Sequence, residues 1–460
     1  MELTQRCLIL VSVAAILSCS GAALATEGYF QNAYGARQKA LAGAGVADSR
    51  DATATSLNPA GLVDVEDQLN VSASVFSPRR GFVGSGEPGL TPFGDIDSGR
   101  NYFLIPNLAY SQRIQDSSFV DVVGLTLYAN GGLNTEYDAV PGSATCQALN
   151  SVPPVFGGPI GQGRGVFCNG HTGSDLNQAF LSAAFAKRFG NISVGLAPIL
   201  AVQLLEFEGL QLFEPFSVAP NQVSNNGHDV SLGGGIRAGI EVSLSKRVRL
   251  GVAGNSRIWM SEFDDYRGLL AEKGDFDIPP SLQAGIAVDV TQRLTLMADY
   301  KRIWYSDVSS IHNPSTNILT ASVEPAKLLG GANGAGFGWD DINIIKIGAE
   351  WRATDRLTLR AGYGHNEGPF SSRDVMVNIL APGIVQDHFA AGLKYEVAQN
   401  WDLELSGFYA PKESVSGGEL AIPTPFGPIG NPKHGIDIEG HGGEVTLGVT
   451  YRFGGVAELK

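Results

Sequence analysis

Gly239-Ile-Glu-Val-Ser-Leu-Ser-Lys-Arg-Val-Arg-Leu250 aligns without a gap on Gly285-Ile-Ala-Val-Asp-Val-Thr-Gln-Arg-Leu-Thr-Leu296, on Gly348-Ala-Glu-Trp-Arg-Ala-Thr-Asp-Arg-Leu-Thr-Leu359 and on Gly392-Leu-Lys-Tyr-Glu-Val-Ala-Gln-Asn-Trp-Asp-Leu403. Each block reads as an alternating strand, a tight polar turn and a second alternating strand. One face is large and apolar: Val242 and Leu250, Val288 and Leu296, Trp351 and Leu359, Tyr395 and Leu403. The other face is polar, charged or small. The last strand repeats the division, with Val445, Leu447, Val449, Tyr451 and Phe453 against Glu444, Thr446, Gly448, Thr450 and Arg452.

Working outward, the same alternation predicts fourteen strands, near 68–78, 101–113, 119–130, 178–189, 191–205, 228–244, 247–260, 279–290, 293–305, 341–353, 356–366, 386–397, 400–411 and 443–453. Their connections alternate between short and long. An even strand count with short turns on one side and long loops on the other is the layout of a transmembrane barrel. About 9–11 residues suffice for a tilted strand to cross. Trp351, Tyr395, Trp401, Tyr451 and Phe453 fall near the short turns, and Trp304 and Tyr409 near the loops, as two interfacial girdles. A soluble β-sandwich would have to bury all fourteen apolar faces in one core. The fold class expected is therefore all-β, a 14-stranded antiparallel transmembrane β-barrel.

Arg6, the apolar run Cys7–Leu17 and the small residues ending in Ala23-Leu24-Ala25 have the order of a secretory signal, with cleavage expected after Ala25. A lipoprotein signal at Cys19 is the weaker alternative. After Ala25 no stretch approaches the ~18 unbroken apolar residues of a membrane helix. Cys146 and Cys168 remain in the exported chain and are expected to pair. Closing that loop would contribute roughly 3 kcal/mol. With 46 acidic against 32 basic residues, the net charge of −14 argues against nucleic acid as a partner.

Residues 26–65 break the strand pattern. They are rich in Ala and Gly, and short helices and turns fit them better. Here the sequence resembles the N-terminal hatch of the FadL-type outer-membrane transporters, the channels for long-chain fatty acids and hydrocarbons. The matching pieces are Ala40–Ala47, the acidic Asp48 to Asp51, and Asn58-Pro59-Ala60. The resemblance continues at Asn130-Gly131-Gly132-Leu133-Asn134-Thr135-Glu136-Tyr137, at Pro279-Pro280-Ser281-Leu282, at Asp299-Tyr300 and Trp304, and at Leu359-Arg360-Ala361-Gly362-Tyr363. One departure is that seven residues follow Phe453, where such barrels usually end on an aromatic.

The resemblance implies a signal peptide at 1–25, a hatch at 26–65 inside the lumen, a barrel at 66–453 and a periplasmic tail at 454–460. It places the protein in the outer membrane of a Gram-negative bacterium, as a multi-pass monomer in contact with lipid bilayer and lipopolysaccharide. Phe30, Asn58, Pro59 and Ala60 would belong to the hatch. Loop residues Leu210, Phe213, Phe216, Leu269 and Leu270 would form an outer groove for hydrophobic small molecules, most simply long-chain fatty acids. Burying an alkyl chain there would contribute about 0.8 kcal/mol per methylene. Asn130, Gly131 and Gly132 would form a kink that opens the wall sideways as a lateral gate. On the polar face, Arg249, Asp299, Lys301, Lys346, Glu350, Arg360, Lys394, Asp402, Glu404 and Arg452 form a network of paired charges, of which one cation could instead hold a carboxylate.

An enzyme is not expected. His171, His228, His312, His365, His388, His434 and His441 are scattered, with no His-Glu-x-x-His and no Gly-x-Ser-x-Gly elbow. Gly330–Gly338 lacks the strand-to-helix setting of a nucleotide motif. No cofactor and no metal site are expected. The rival readings are a general water-filled porin and a surface receptor or adhesin barrel.

Overall fold

The computed structural model describes residues 27–115, 117–138, 140–152, 161–425 and 427–453. The expected signal peptide at 1–25 and tail at 454–460 lie outside the described residues. Fourteen long strands run in chain order: β1 Gln68–Gly86, β2 Phe103–Arg113, β3 Val122–Tyr137, β4 Thr172–Phe189, β5 Ile192–Glu208, β6 Asp229–Ser243, β7 Val248–Asn255, β8 Ser281–Asp289, β9 Leu294–Ile303, β10 Ile342–Arg352, β11 Leu357–Asn366, β12 Asp387–Ala398, β13 Trp401–Gly418 and β14 His434–Arg452. Each pairs antiparallel with the next, and β14 pairs with β1 from Arg452↔Gln68 to His434↔Gly86. That last ladder closes the sheet into a barrel and leaves no open edge.

The polarity is inverted relative to a soluble protein. On β14, Val445, Leu447 and Val449 are exposed, while Glu444, Thr446 and Thr450 are buried. Exposed Leu, Ile and Val repeat around the barrel, from Leu196 and Ile240 to Ile347 and Leu405. In lipid every backbone group must be paired within the protein, which a closed barrel achieves. Trp351, Tyr395 and Trp401 are exposed near the short turns, and Tyr409 and Trp259 near the loops. Tyr451 bridges Trp401 and Phe453, and Phe453, just after β14, meets Tyr110 of β2 over the intervening β1.

All fourteen predicted strands are present, and six (β1, β3, β4, β5, β13 and β14) run further toward the loops than expected. β1, β13 and β14 continue as an extension beyond the membrane-crossing length, with Gly86 opposite His434 and Gly435 opposite Gly418, and a short fourth strand, Gly94–Asp97, pairs with Gly81–Gly84 of β1. The alternation places the end of the first strand at 78. Pro78 falls just past the last β1–β2 pair, Phe76↔Phe103, where β1 has lost that neighbour and a missing N–H costs little. The span predicted at 247–260 ends instead at Asn255, and Trp259-Met260 pairs separately with Gly233-Gly234 of β6.

Residues 27–65 pack inside the barrel. They form one α-helix, Gly35–Ala40, and two 3-10 helices, Ala52–Ser56 and Pro59–Asp64. The caps are local. Asp51 accepts from Thr53 N–H at 2.9 Å, and Asn58 Oδ1 accepts from Ala60 N–H at 3.1 Å, with Pro59 at the first helical position. The wall is glycine where this segment touches it most closely. A Cβ on Gly239 would lie 2.0 Å from Asn58 Oδ1.

Candidate functional site

The long loops pack over one end of the barrel into a continuous apolar core. Within it lies a cavity of about 90 Å³ lined by 18 residues, none of them charged. Leu210, Phe213, Leu269 and Leu270 are on its wall, with Phe167, Phe207, Phe337 and Met376. Phe216 is half-buried against the same core but does not line the space. Two hydroxyls line the cavity, and both already donate: Ser310 Oγ to the Asp275 carbonyl at 2.5 Å and Ser315 Oγ to Asp374 Oδ1 at 2.7 Å. Cys146 and Cys168 form a disulfide beside this core, and Phe167 packs edge-on against Phe213.

Below the cavity, Phe337 leads to Trp339, which contacts Tyr305 and Tyr29. Tyr29 stacks on Phe30 at 5.0 Å. Phe30 in turn forms a β-bridge with Gly131 of β3. Five aromatic residues thus connect the loop cavity to the barrel wall.

At that point the wall is irregular. β2 and β3 pair from Arg113↔Val122 to Asn107↔Tyr128 and no further. β3 remains paired with β4 up to Tyr137↔Thr172, with a register shift between Ala129 and Gly131. Asn130 is therefore the bulged residue, and beyond Tyr128 β3 faces no strand of the wall on its β2 side. A short piece of the N-terminal segment fills the space. Gln31 N–H donates to the Asn130 carbonyl at 2.9 Å, and Gly132 N–H donates to the Tyr29 carbonyl at 3.0 Å. Glycine is required at 131, since a Cβ there would lie 1.9 Å from Tyr29 O. Asn130 also accepts from Tyr34 OH at 2.8 Å and donates to Gln178 at 2.9 Å.

The charged lumen residues are engaged with the wall or with the N-terminal segment. Arg37 joins Asp48 at 2.7 Å and Glu350 at 2.9 Å. Arg360 joins Glu350 at 2.8 Å and Glu404 at 2.6 Å. Arg249 joins Asp48 at 2.6 Å and Asp289 at 2.7 Å. Lys301 and Lys346 each lie 2.6 Å from Glu27. Asp299 accepts from the Gly45 and Val46 N–H groups at 2.8 and 2.9 Å. Asp402 pairs with Arg452, and with Lys394 at 3.5 Å. The sequence reading missed the N-terminal partners Glu27, Arg37 and Lys39, the last paired with Glu444. Their signal was charge in an otherwise Ala- and Gly-rich stretch. Asn58 reaches the wall itself, donating to the Val46 and Ile240 carbonyls at 2.7 and 3.3 Å.

Of the four buried arginines among the described residues, Arg37 and Arg360 face carboxylates, while Arg80 and Arg237 do not. Arg237 donates instead to Asn255 Oδ1 at 2.7 Å and to the Thr55 carbonyl at 3.2 Å.

Among known proteins, no family model and no curated protein sequence matches the chain. Solved structures do. The Pseudomonas putida toluene transporter TodX superposes with a TM-score of 0.63 at 17% identity, covering 92% of this chain and 99% of its own. A Pseudomonas aeruginosa FadL homologue gives 0.62 at 14% identity, covering 93% and 100%. The Ralstonia pickettii toluene transporter TbuX gives 0.57 at 15% identity, covering 92% and 99%. Over nearly its whole length, the chain has the fold of these FadL-type transporters.

Proposed function

We propose that the protein is an outer-membrane channel for the passive uptake of hydrophobic compounds, captured in the loop cavity and released sideways between β2 and β3 into the bilayer. The interrupted β2–β3 ladder carries this reading. A wall that needs only to be tight would pair along its full length, and here three residues of the N-terminal segment stand in for a strand. Lateral release lets an apolar molecule avoid water on leaving the cavity. The similarity in fold to toluene transporters supports the same reading. The lumen is occupied by residues 27–65, so a water-filled porin has no support from the geometry. A single chain closes the barrel, which suits a monomer.

Long-chain fatty acids and neutral hydrocarbons differ by one carboxylate. The cavity offers that carboxylate nothing, because both lining hydroxyls spend their protons on the protein. Its volume of about 90 Å³ is also below the ~150 Å³ of an apolar cavity that admits benzene. A bound molecule must move a side chain, and Phe213, Leu269, Val377 and Leu420 on the wall are only half-buried. These features favour a compact neutral molecule, with rings packing against Phe167, Phe207, Phe213 and Phe337. Calorimetry of the purified protein with toluene and with palmitate tests this. Toluene should bind at least ten-fold more tightly. Palmitate binding as well as or better than toluene would restore the fatty-acid reading, and binding of neither would remove the channel reading itself.

A further inference from the structure

The gap between β2 and β3 is bounded above as well as below. Its lower edge is the last ladder pair, Asn107↔Tyr128. At its upper edge Arg80 of β1 reaches across to β3. Its Nε donates to the Asn134 carbonyl at 2.7 Å and its Nη2 to Asn134 Oδ1 at 3.3 Å. The guanidinium lies 5.4 Å over the ring of Phe103, the first residue of β2. Arg80, Phe103 and Asn134 are all buried. The same edge carries a second tie: the Ser98 N–H donates to the Arg80 carbonyl at 2.9 Å, Gly99 N–H donates to the Glu136 carbonyl at 2.7 Å, and Glu136 N–H to Ser98 Oγ at 3.0 Å. The opening from Tyr128 to Asn134 spans six residues of β3, about 20 Å at ~3.3 Å per residue.

Arg80 has no carboxylate partner among the described residues, and a buried cation without one is costly. Glu136, two residues past Asn134 on β3, acts on Arg80 only through its charge and forms no ion pair, and Asp175, beside Asn134 on β4, pairs with Arg100. What Arg80 supplies is geometric. A long, flat donor replaces the ladder bonds that β2 cannot make to β3, because β2 has already ended. A ladder there would close the wall, and without the Arg80 contact the gap would run on to the Ser98–Gly99 tie at Glu136.

We propose that Arg80 is a positioning residue that ties β1 to β3 at the upper edge of the lateral opening, fixing its height and sealing that edge to ions, while the Tyr29–Gln31 segment seals the span below it. This rests on the lateral-release reading above, but its principal readout does not require transport. Arg80→Met keeps the apolar stem and removes the donors; Arg80→Lys keeps the charge and a donor. In planar bilayers the methionine variant should raise ion conductance at least ten-fold over wild type, and lysine should restore much of the seal. Affinity for toluene at the loop cavity should stay within two-fold of wild type in both. Wild-type conductance in a heat-modifiable, folded methionine variant would overturn the proposal. So would a lysine variant that leaks as much as methionine. Should the methionine variant not assemble, Phe103→Leu removes the ring that the guanidinium rests on and should leak in the same sense; wild-type conductance there overturns the proposal equally. If toluene uptake is absent from wild type while the Arg80 variants still leak, the transport reading fails and the edge-tie stands.

Discussion

At Gly131 a single hydrogen atom decides whether the N-terminal segment can lie against β3. The Tyr29 carbonyl occupies the place of a side chain, and the flanking bonds hold Phe30 opposite. Gly131→Val should therefore not tighten the wall. It should expel residues 29–31 and raise ion conductance several-fold in planar bilayers, while heat-modifiable folding persists because the β3–β4 ladder is untouched. Conductance at the wild-type level would show that the N-terminal segment does not seal the gap. The family resemblance, rather than any local pattern, marked Asn130-Gly131-Gly132 as a place where a strand bends. The sequence could not show what fills the bend, because the partner lies 100 residues earlier and leaves no local pattern. Arg37 and Lys39 are similar. Their charge was visible, but Glu350 and Glu444 could be assigned to them only once the barrel had closed.

Among the elements, the strands were the most legible and the loops the least. Alternation of period two survives any tertiary context, because lipid on one side and a polar lumen on the other impose it at every position. The extension of β1, β13 and β14 escaped notice since neither lipid nor lumen enforces alternation beyond the membrane. The loop cavity drew Leu210, Phe213, Leu269 and Leu270 from two loops the sequence had singled out, but Phe337, Met376 and Leu420 come from others with no shared period. Leu270 is buried on that cavity wall and outside the barrel strands. Leu270→Glu should weaken toluene binding at least ~10-fold, equivalent to about 1.4 kcal/mol, with barrel assembly intact. Unchanged affinity by calorimetry would remove the cavity from the pathway.

The loop rim is also where pH should act. His171 joins Asp138 and Glu208, and His228 joins Asp175 and Glu206. Burial alone would lower His171, but the hydrogen bond to Asp138 and the charge of Glu208 outweigh it and raise its pKa above the ordinary 6.5. For His228 the hydrogen bond to Asp175 is the leading cause, again upward. A raised folded-state pKa means that these pairs contribute most fully below about pH 6.5 and lose their contribution as pH rises through the folded value. Both rings are partly exposed, so each contact is worth at most about 0.2–1 kcal/mol. Amide exchange around 171–175 and 206–208 should be slower at pH 6 than at pH 9, after correction for intrinsic rates, and His171→Gln/His228→Gln should remove the difference. Equal protection at both pH values in wild type would show that the histidines are not charged there.

For the whole molecule, the proposed route runs in at the loops, past the aromatic column and out between β2 and β3. The route requires Tyr29–Gln31 to leave β3 during transport. Gln31 and Asn130 are opposed beside the Phe30–Gly131 bridge. Opposed antiparallel residues lie about 5.5 Å apart at Cα, within the ~4.4–6.8 Å that a disulfide spans. Gln31→Cys/Asn130→Cys should therefore lock the segment in place when oxidised. The decisive measurement is uptake of radiolabelled toluene by intact cells of a Gram-negative host lacking its own channels of this fold, with and without reductant, beside wild type as control for the Cys146–Cys168 bridge. Lateral release predicts that the oxidised variant, shown to be cross-linked by mass spectrometry, still binds toluene but takes up at least ten-fold less, and that reductant restores uptake to the wild-type rate. Uptake by the cross-linked protein equal to that of its reduced form would contradict the account.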